Sequence, residues 1–222
     1  MADGYISDDE QWEKVKAWWQ ANGTFIIAGL VIGLAIIGGW RWWEHNQAQQ
    51  QVAASALYTQ FEQVLNQPDA KQGAADAVAK NLITNYSGTP YAAQAALGLA
   101  AQEVAANKPD QAAEHLQWVV DNASDDSLAR LARLRLARVQ IANKQPKAAL
   151  ATLSAVKPGG FEALYAEVRG DAWRALDDPA KAHAAYQAAL TAHTDEMGDT
   201  TLLELKLRGT ASAAQPANNG KS

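Results

Sequence analysis

The sequence contains no cysteine. That excludes disulfides, thiolate metal sites and cysteine nucleophiles, and suits an oxidising or a reducing compartment equally. Runs of alternating β-branched residues are missing, so the pattern of half-buried strands is missing too. There is no basic footprint for nucleic acid. The formal net charge is −5, and residues 44–222 hold 19 acidic against 16 basic side chains. No G-x-x-x-x-G-K-[ST], G-x-S-x-G or strand-borne G-x-G-x-x-G occurs. Among His45, His115, His183 and His193 no two stand four apart, so metal-ligand spacing is absent. These gaps point away from an enzyme, a cofactor and a small-molecule substrate, and toward a protein that works through protein partners.

What is present is helical. Ala, Leu, Gln, Glu, Lys and Arg dominate, and these are strong helix formers. Near the N-terminus the stretch NGTFIIAGLVIGLAIIGGWRWWEH carries no charge from Thr24 to Trp40. Those residues would rise roughly 25 Å as a helix, close to the ~30 Å of bilayer hydrocarbon. Trp42 and Trp43 extend it as an interfacial belt. A cleaved signal peptide wants a basic lead and small residues at its exit. Here the lead is acidic and the exit reads WRWW, so the stretch is expected to be a retained transmembrane helix over 22–43 rather than a signal or a buried soluble helix. Lys14 and Lys16 precede it and only Arg41 closely follows, a small bias toward a cytoplasmic N-terminus. Residues 1–21 then form a cytoplasmic segment, with Trp12, Val15 and Trp19 on one face of a short amphipathic helix. Gly29 and Gly33 stand in G-x-x-x-G spacing and are candidates for packing a partner helix in the membrane.

Behind the anchor, three turns recur: NKPDQA at 107–112, NKQPKA at 143–148 and DDPAKA at 177–182. Each begins with Asn or Asp, contains Pro, and brings Ala five residues after its start. Each is flanked by two helix-like segments, and the spacing lies near the 34 residues of a tetratricopeptide repeat. In the last copy Gly170 takes the small position, Trp173 the aromatic one, and Ala182, Tyr186 and Ala189 the stripe of the second helix. Ala100 and Ala112 hold equivalent places in the first copy. The middle copy offers Ala148 and Ala155, with Thr152 where an aromatic is expected. A degenerate copy begins near Ala53, with a break at Gln67-Pro68-Asp69. The fold expected is all-α: a transmembrane helix, then a solenoid of about four helix pairs over 44–208, closed by a capping helix after Gly198. Residues 209–222 are expected to be a disordered tail.

Four arginines crowd one predicted helix. At 100° per residue, Arg130 and Arg133 share one side and Arg135 and Arg138 another. One pair could face a concave groove and grip carboxylates of a partner; ion pairing with Asp125, Asp126 and Glu167 is the alternative. Arg169-Gly170-Asp171 spells a cell-adhesion tripeptide, but it falls within a helix with Gly170 at a packing position.

The order of parts carries a resemblance. A short acidic, Trp-bearing N-terminus, a Gly-rich span ending in GWRWWEH, and the block ALYAEVRGDAWRALDDPAKAHAAYQAAL resemble the YfgM-like family of ancillary SecYEG translocon subunits. The resemblance implies a single-pass protein of the bacterial inner membrane with a periplasmic repeat domain. It implies association with the SecYEG translocon and with a membrane-anchored, prolyl-isomerase-like periplasmic chaperone, and help in passing exported chains to the chaperone network. A scaffold for another envelope machine, or a regulator of stress signalling through the cytoplasmic end, is the alternative.

Overall fold

The computed structural model describes residues 8–66, 73–194 and 198–214. Among them every regular element is a helix: α1 (Asp8–Leu65), α2 (Ala74–Asn85), α3 (Pro90–Ala105), α4 (Pro109–Asn122), α5 (Asp126–Ala142), α6 (Pro146–Ser154), α7 (Glu162–Ala175), α8 (Pro179–Thr191) and α9 (Thr201–Ala214). The chain divides into two units, Met1–Gln50 and Gln51–Ser222.

In the first unit the amphipathic and transmembrane segments read separately from sequence belong to one helix, α1. It is long and apolar enough to cross a membrane. Its apolar side chains are uncovered: Phe25 is 78% exposed, Leu30 62% and Ile36 66%. A core helix of a soluble protein would bury them, so that alternative fails.

The second unit is a stack of helix pairs. The end of α1 joins α2 and α3 in one apolar cluster, α3 pairs with α4, α5 with α6, α7 with α8, and α9 closes the row. The first helix of each pair is apolar on two sides because it serves two interfaces. Ala92, Ala95 and Leu99 of α3 face Phe61 and Leu82 behind, while Ala93, Ala96 and Ala100 face Leu116 and Leu136 ahead. On α5, Leu136 and Val139 look back, while Leu134 and Ala137 join Leu153, Tyr165 and Val168 ahead. α7 joins α8 and Leu203 of α9 through Ala166, Tyr186 and Ala189. No pair could bury its apolar faces alone, which is the logic of a solenoid. The expected break at Gln67-Pro68-Asp69 lies outside the described residues. The capping helix runs to Ala214, into residues 209–222 that were expected to be a disordered tail; residues 215–222 lie outside the described part.

Proline opens α3, α4, α6 and α8, where its missing N–H costs nothing. Thr89 and Asp125 cap α3 and α5 with side-chain oxygens. The three repeat turns share one closure. Asn107, Lys144 and Asp177 all adopt the left-handed conformation, with φ of 56°, 59° and 58°. The following N–H then reaches back five residues, Lys108 to Glu103 at 2.7 Å, Gln145 to Gln140 at 2.7 Å and Asp178 to Trp173 at 3.0 Å.

This shared geometry corrects the sequence register. The middle turn is set by Lys144, not Asn143, because Lys144 is the residue that turns left-handed. Its buried small residue is therefore Ala149, fully enclosed, while Ala148 is only half-buried and Ala155 is exposed. The large second-helix residue is Leu153, aligned with Leu116 and Tyr186, and not Thr152. Asn and Asp tolerate the left-handed region better than Lys does. Lys144→Gly is thus expected to stabilise the fold by about 0.5–1 kcal/mol, the steric relief exceeding glycine's entropy cost. Thermal melting of Lys144→Gly against Asn107→Gly checks this, with a gain expected only in the former.

Candidate functional site

The first helices touch their counterparts in the next pair, α3 to α5 and α5 to α7; no comparable contact joins α4 to α6 or α6 to α8. The stack therefore closes on the first-helix side, and its concave face is built from α3, α5 and α7. Counting back from each left-handed residue, equivalent positions on this face are Ala101 and Val104 on α3, Arg138 and Ile141 on α5, and Asp171 and Arg174 on α7.

The four arginines of α5 separate as 100° per residue requires. Arg130 pairs with Asp126 at 3.2 Å, its carbonyl accepts the Tyr165 hydroxyl at 2.9 Å, and its guanidinium lies against Gly159 of the loop after α6. It is occupied in holding α5 to that loop and to α7. Arg133 is half-buried on the same side and near Tyr165. Arg135 and Arg138 are exposed and line the groove. Among the described residues neither has an ion-pair partner. Of the alternatives open from sequence, ion pairing holds for Arg130, and Arg135 and Arg138 are the pair on the concave face.

Two clefts flank Arg138. One, of about 330 Å³, has an apolar floor of Leu97, Ala101, Val104 and Val139 with Arg135 and Arg138 at its edge. The other, of about 300 Å³, lies between Arg138, Ile141, Asp171 and Arg174. Nearby carboxylates are already engaged. Glu103 meets His115 at 2.8 Å, and Lys206 of α9 holds both Glu167 at 2.7 Å and Asp171 at 2.8 Å. No carboxylate makes an ion pair with Arg135 or Arg138 among the described residues, while Asp171, which shares Lys206 with Glu167, stands with Arg138 and Arg174 in the second cleft.

The repeat-packing residues sit behind this face, Ala100 also lining the larger cleft. Ala100, Ala112, Ala182, Tyr186 and Ala189 are buried, as is Gly170, and Trp173 is half-buried with Lys181 over its ring. Gly170 allows the close approach of Tyr186, whose hydroxyl donates to Asp171 at 2.8 Å. The adhesion-like tripeptide is thus part of the packing of α7. A contact made by the residues equivalent to Trp173 was not legible from sequence. Glu103 meets His115 and Gln140 meets Thr152, each across its own helix pair. The one-residue register slip hid that Thr152 is a polar partner.

Burial, reinforced by the bond to Asp171, pushes the Tyr186 phenol far above its ordinary value of 10.0. A raised folded pKa means the neutral phenol stabilises the fold fully below pH 10, and this contribution fades as pH rises from there toward the folded value. Absorbance titration should show tyrosine ionising later than in the unfolded chain, with the late component reduced in Tyr186→Phe. Uniform titration near pH 10 would contradict the buried bond.

In the first unit, a Cβ added at Gly29 or Gly33 would meet nothing within 4 Å, so their face of α1 is open. Among the described residues no group of three or more His, Asp or Glu is placed to hold a metal ion.

Comparison with known proteins adds a second line. Residues 16–212 match the tetratricopeptide repeat-like domain family. The ancillary SecYEG translocon subunit of Escherichia coli K12 is 34% identical over 188 residues, spanning 84% of this chain and 88% of that protein. Its counterpart in Haemophilus influenzae Rd is 30% identical over 83% of this chain and 89% of its own length. The Neisseria gonorrhoeae protein of the same description is 30% identical over 91% and 97%. No solved structure matches the chain.

Proposed function

The chain belongs to the tetratricopeptide repeat-like family of the ancillary SecYEG translocon subunits, and from that premise we propose that it is a membrane-anchored interaction module of the Sec machinery. The observation that carries this reading is that the family match begins at residue 16, within α1, and continues through the solenoid. The likeness therefore includes the apolar helix as well as a repeat shared by many unrelated proteins. Family and fold point to an adaptor that works by contact.

In this reading α1 anchors the chain beside the SecYEG translocon in the inner membrane. The N-terminus is cytoplasmic and the solenoid periplasmic, in keeping with Lys14 and Lys16 before the span and Arg41 alone behind it. The solenoid holds a membrane-anchored, prolyl-isomerase-like chaperone and helps to pass exported chains to it. Tethering is the mechanism: fixing one binding site near another raises its effective concentration without any new contact. Gly29 and Gly33 are the proposed packing face for a translocon helix, and the concave arginines the proposed partner site.

Co-purification of the tagged full chain from detergent-solubilised membranes tests this reading. Translocon subunits and the chaperone are expected. Recovery of cell-division or wall-synthesis proteins without any translocon subunit would replace it with an envelope scaffold. A reporter active only in the periplasm, fused after Ser222, should be active; silence would reverse the orientation.

A further inference from the structure

Besides Leu116 of α4, the larger cleft is lined by α3 and α5, which supply unlike halves of one surface. α3 contributes only apolar atoms: Leu97, Ala100, Ala101 and Val104, the last 51% exposed. α5 contributes Arg135 and Arg138 at the edge, above Val139. The cleft of about 330 Å³ is large enough for one aromatic or branched aliphatic side chain with room to spare. Its openness has a cause in the residue pattern. Position 101 is Ala, where the next repeats carry Arg138 and Asp171. A small residue there leaves uncovered the space that long side chains border farther along the row.

Charge then selects the occupant. No carboxylate lines this cleft, and among the described residues neither Arg135 nor Arg138 has an ion-pair partner: Glu103 is bonded to His115, and Asp171 to Lys206. Arg138 also borders the second cleft, where Arg174 stands. A chain laid along the groove would pass an apolar slot edged by Arg135 and Arg138 first, and Arg174 with Asp171 next. Arginine is the cation best suited to paired hydrogen bonding with carboxylates.

We infer that the α3–α5 cleft is a peptide slot that takes an extended segment bearing a large apolar side chain beside an acidic residue. The apolar side chain enters between Leu97 and Val104, and its acidic neighbour is gripped by Arg135 and Arg138. This rests on the reading of the solenoid as a partner-binding module and names the chemistry of what it binds. Apolar burial supplies affinity that is insensitive to salt, and the arginines supply orientation and a salt-dependent part.

The test uses the full chain in detergent micelles and a fluorescein-labelled decapeptide of Gly and Ser with Phe-Asp-Glu at its centre, followed by anisotropy. Binding is expected to weaken at least tenfold when Asp and Glu become Asn and Gln, and at least tenfold when Phe becomes Ser. Arg135→Gln with Arg138→Gln should reproduce the first loss, and Ala101→Trp, which fills the slot from an exposed position, the second. Each variant should keep the helical melting transition. Equal binding of the acidic and amide peptides, no effect of Ala101→Trp, or no binding at millimolar peptide would overturn the slot. The same variants are carried through the co-purification. If the peptide fails to bind while translocon subunits are still recovered, only the slot is wrong; if translocon subunits are lost from the wild-type preparation, the broader reading fails.

Discussion

Gly170→Ala should lower the thermal midpoint by roughly 4–8 °C, although alanine is the better helix former. A Cβ at position 170 would lie 2.3 Å from Cε1 and 2.5 Å from Cδ1 of Tyr186, too close for any packed pair. The ring cannot swing away freely, because it is fully buried and its hydroxyl is bonded to Asp171. Overpacking of this kind costs about 3 kcal/mol, against a gain of up to ~1 kcal/mol in helix propensity. The clash wins by about 2 kcal/mol, and each kcal/mol moves the midpoint of a chain this size by roughly 2–4 °C. Two comparisons make the cause specific. In a Tyr186→Leu background the clash is gone, so Gly170→Ala should become neutral or stabilising. Gly209, within α9, has nothing within 4 Å of an added Cβ, so Gly209→Ala should stabilise by about 0.5–1 kcal/mol. An unchanged midpoint for Gly170→Ala would mean that α7 and α8 do not pack as described.

The second large effect concerns the anchor. Ile32 and Ile36 lie one turn apart near its centre and are 60% and 66% exposed. Arginine at the centre of a spanning helix costs about 2.5–3.5 kcal/mol on insertion scales. From Phe25 to Ile37 the span has nine large apolar side chains, each favouring insertion by about 0.3–0.6 kcal/mol. Two arginines therefore outweigh everything those side chains contribute. Ile32→Arg with Ile36→Arg should move most of the protein from the membrane pellet to the soluble fraction in alkaline carbonate, while the Leu pair at the same positions stays in the pellet. A pelleted double-arginine variant would show that something other than this span holds the chain to the membrane.

The solenoid was legible in the sequence because its signals are local. An Asn or Asp followed by Pro, with Ala five residues after the start, reports a turn and the first contact of the next helix within six residues. The middle turn misled for a physical reason. Asn143 resembled Asn107, yet Lys144 takes the left-handed conformation, against its own preference. Only the backbone reveals that choice, and it moves the buried alanine from 148 to 149. The separation of the α5 arginines into two pairs followed from helical periodicity alone. Which pair faces the groove did not, since that depends on how α3, α5 and α7 pack side by side. The bonds from Lys206 to Glu167 and Asp171 span 39 and 35 residues and left no local trace. The apolar anchor was readable from its length, and its fusion with the flanking segments into one long helix was not, since Asn22-Gly23 and Gly38-Gly39, which ordinarily favour turns, stand near its two ends.

The claim that this chain works as an anchored partner of the Sec translocon is tested most directly inside the cell. A photoreactive benzophenone side chain placed in turn at positions across 24–43, Gly29 and Gly33 included, and at Ala101 on the solenoid would report every neighbour within a few ångströms. The account predicts adducts with a SecYEG subunit from one face of the anchor, and adducts with a periplasmic chaperone or an exported chain from Ala101. Adducts that contain no translocon subunit from any anchor position would contradict it.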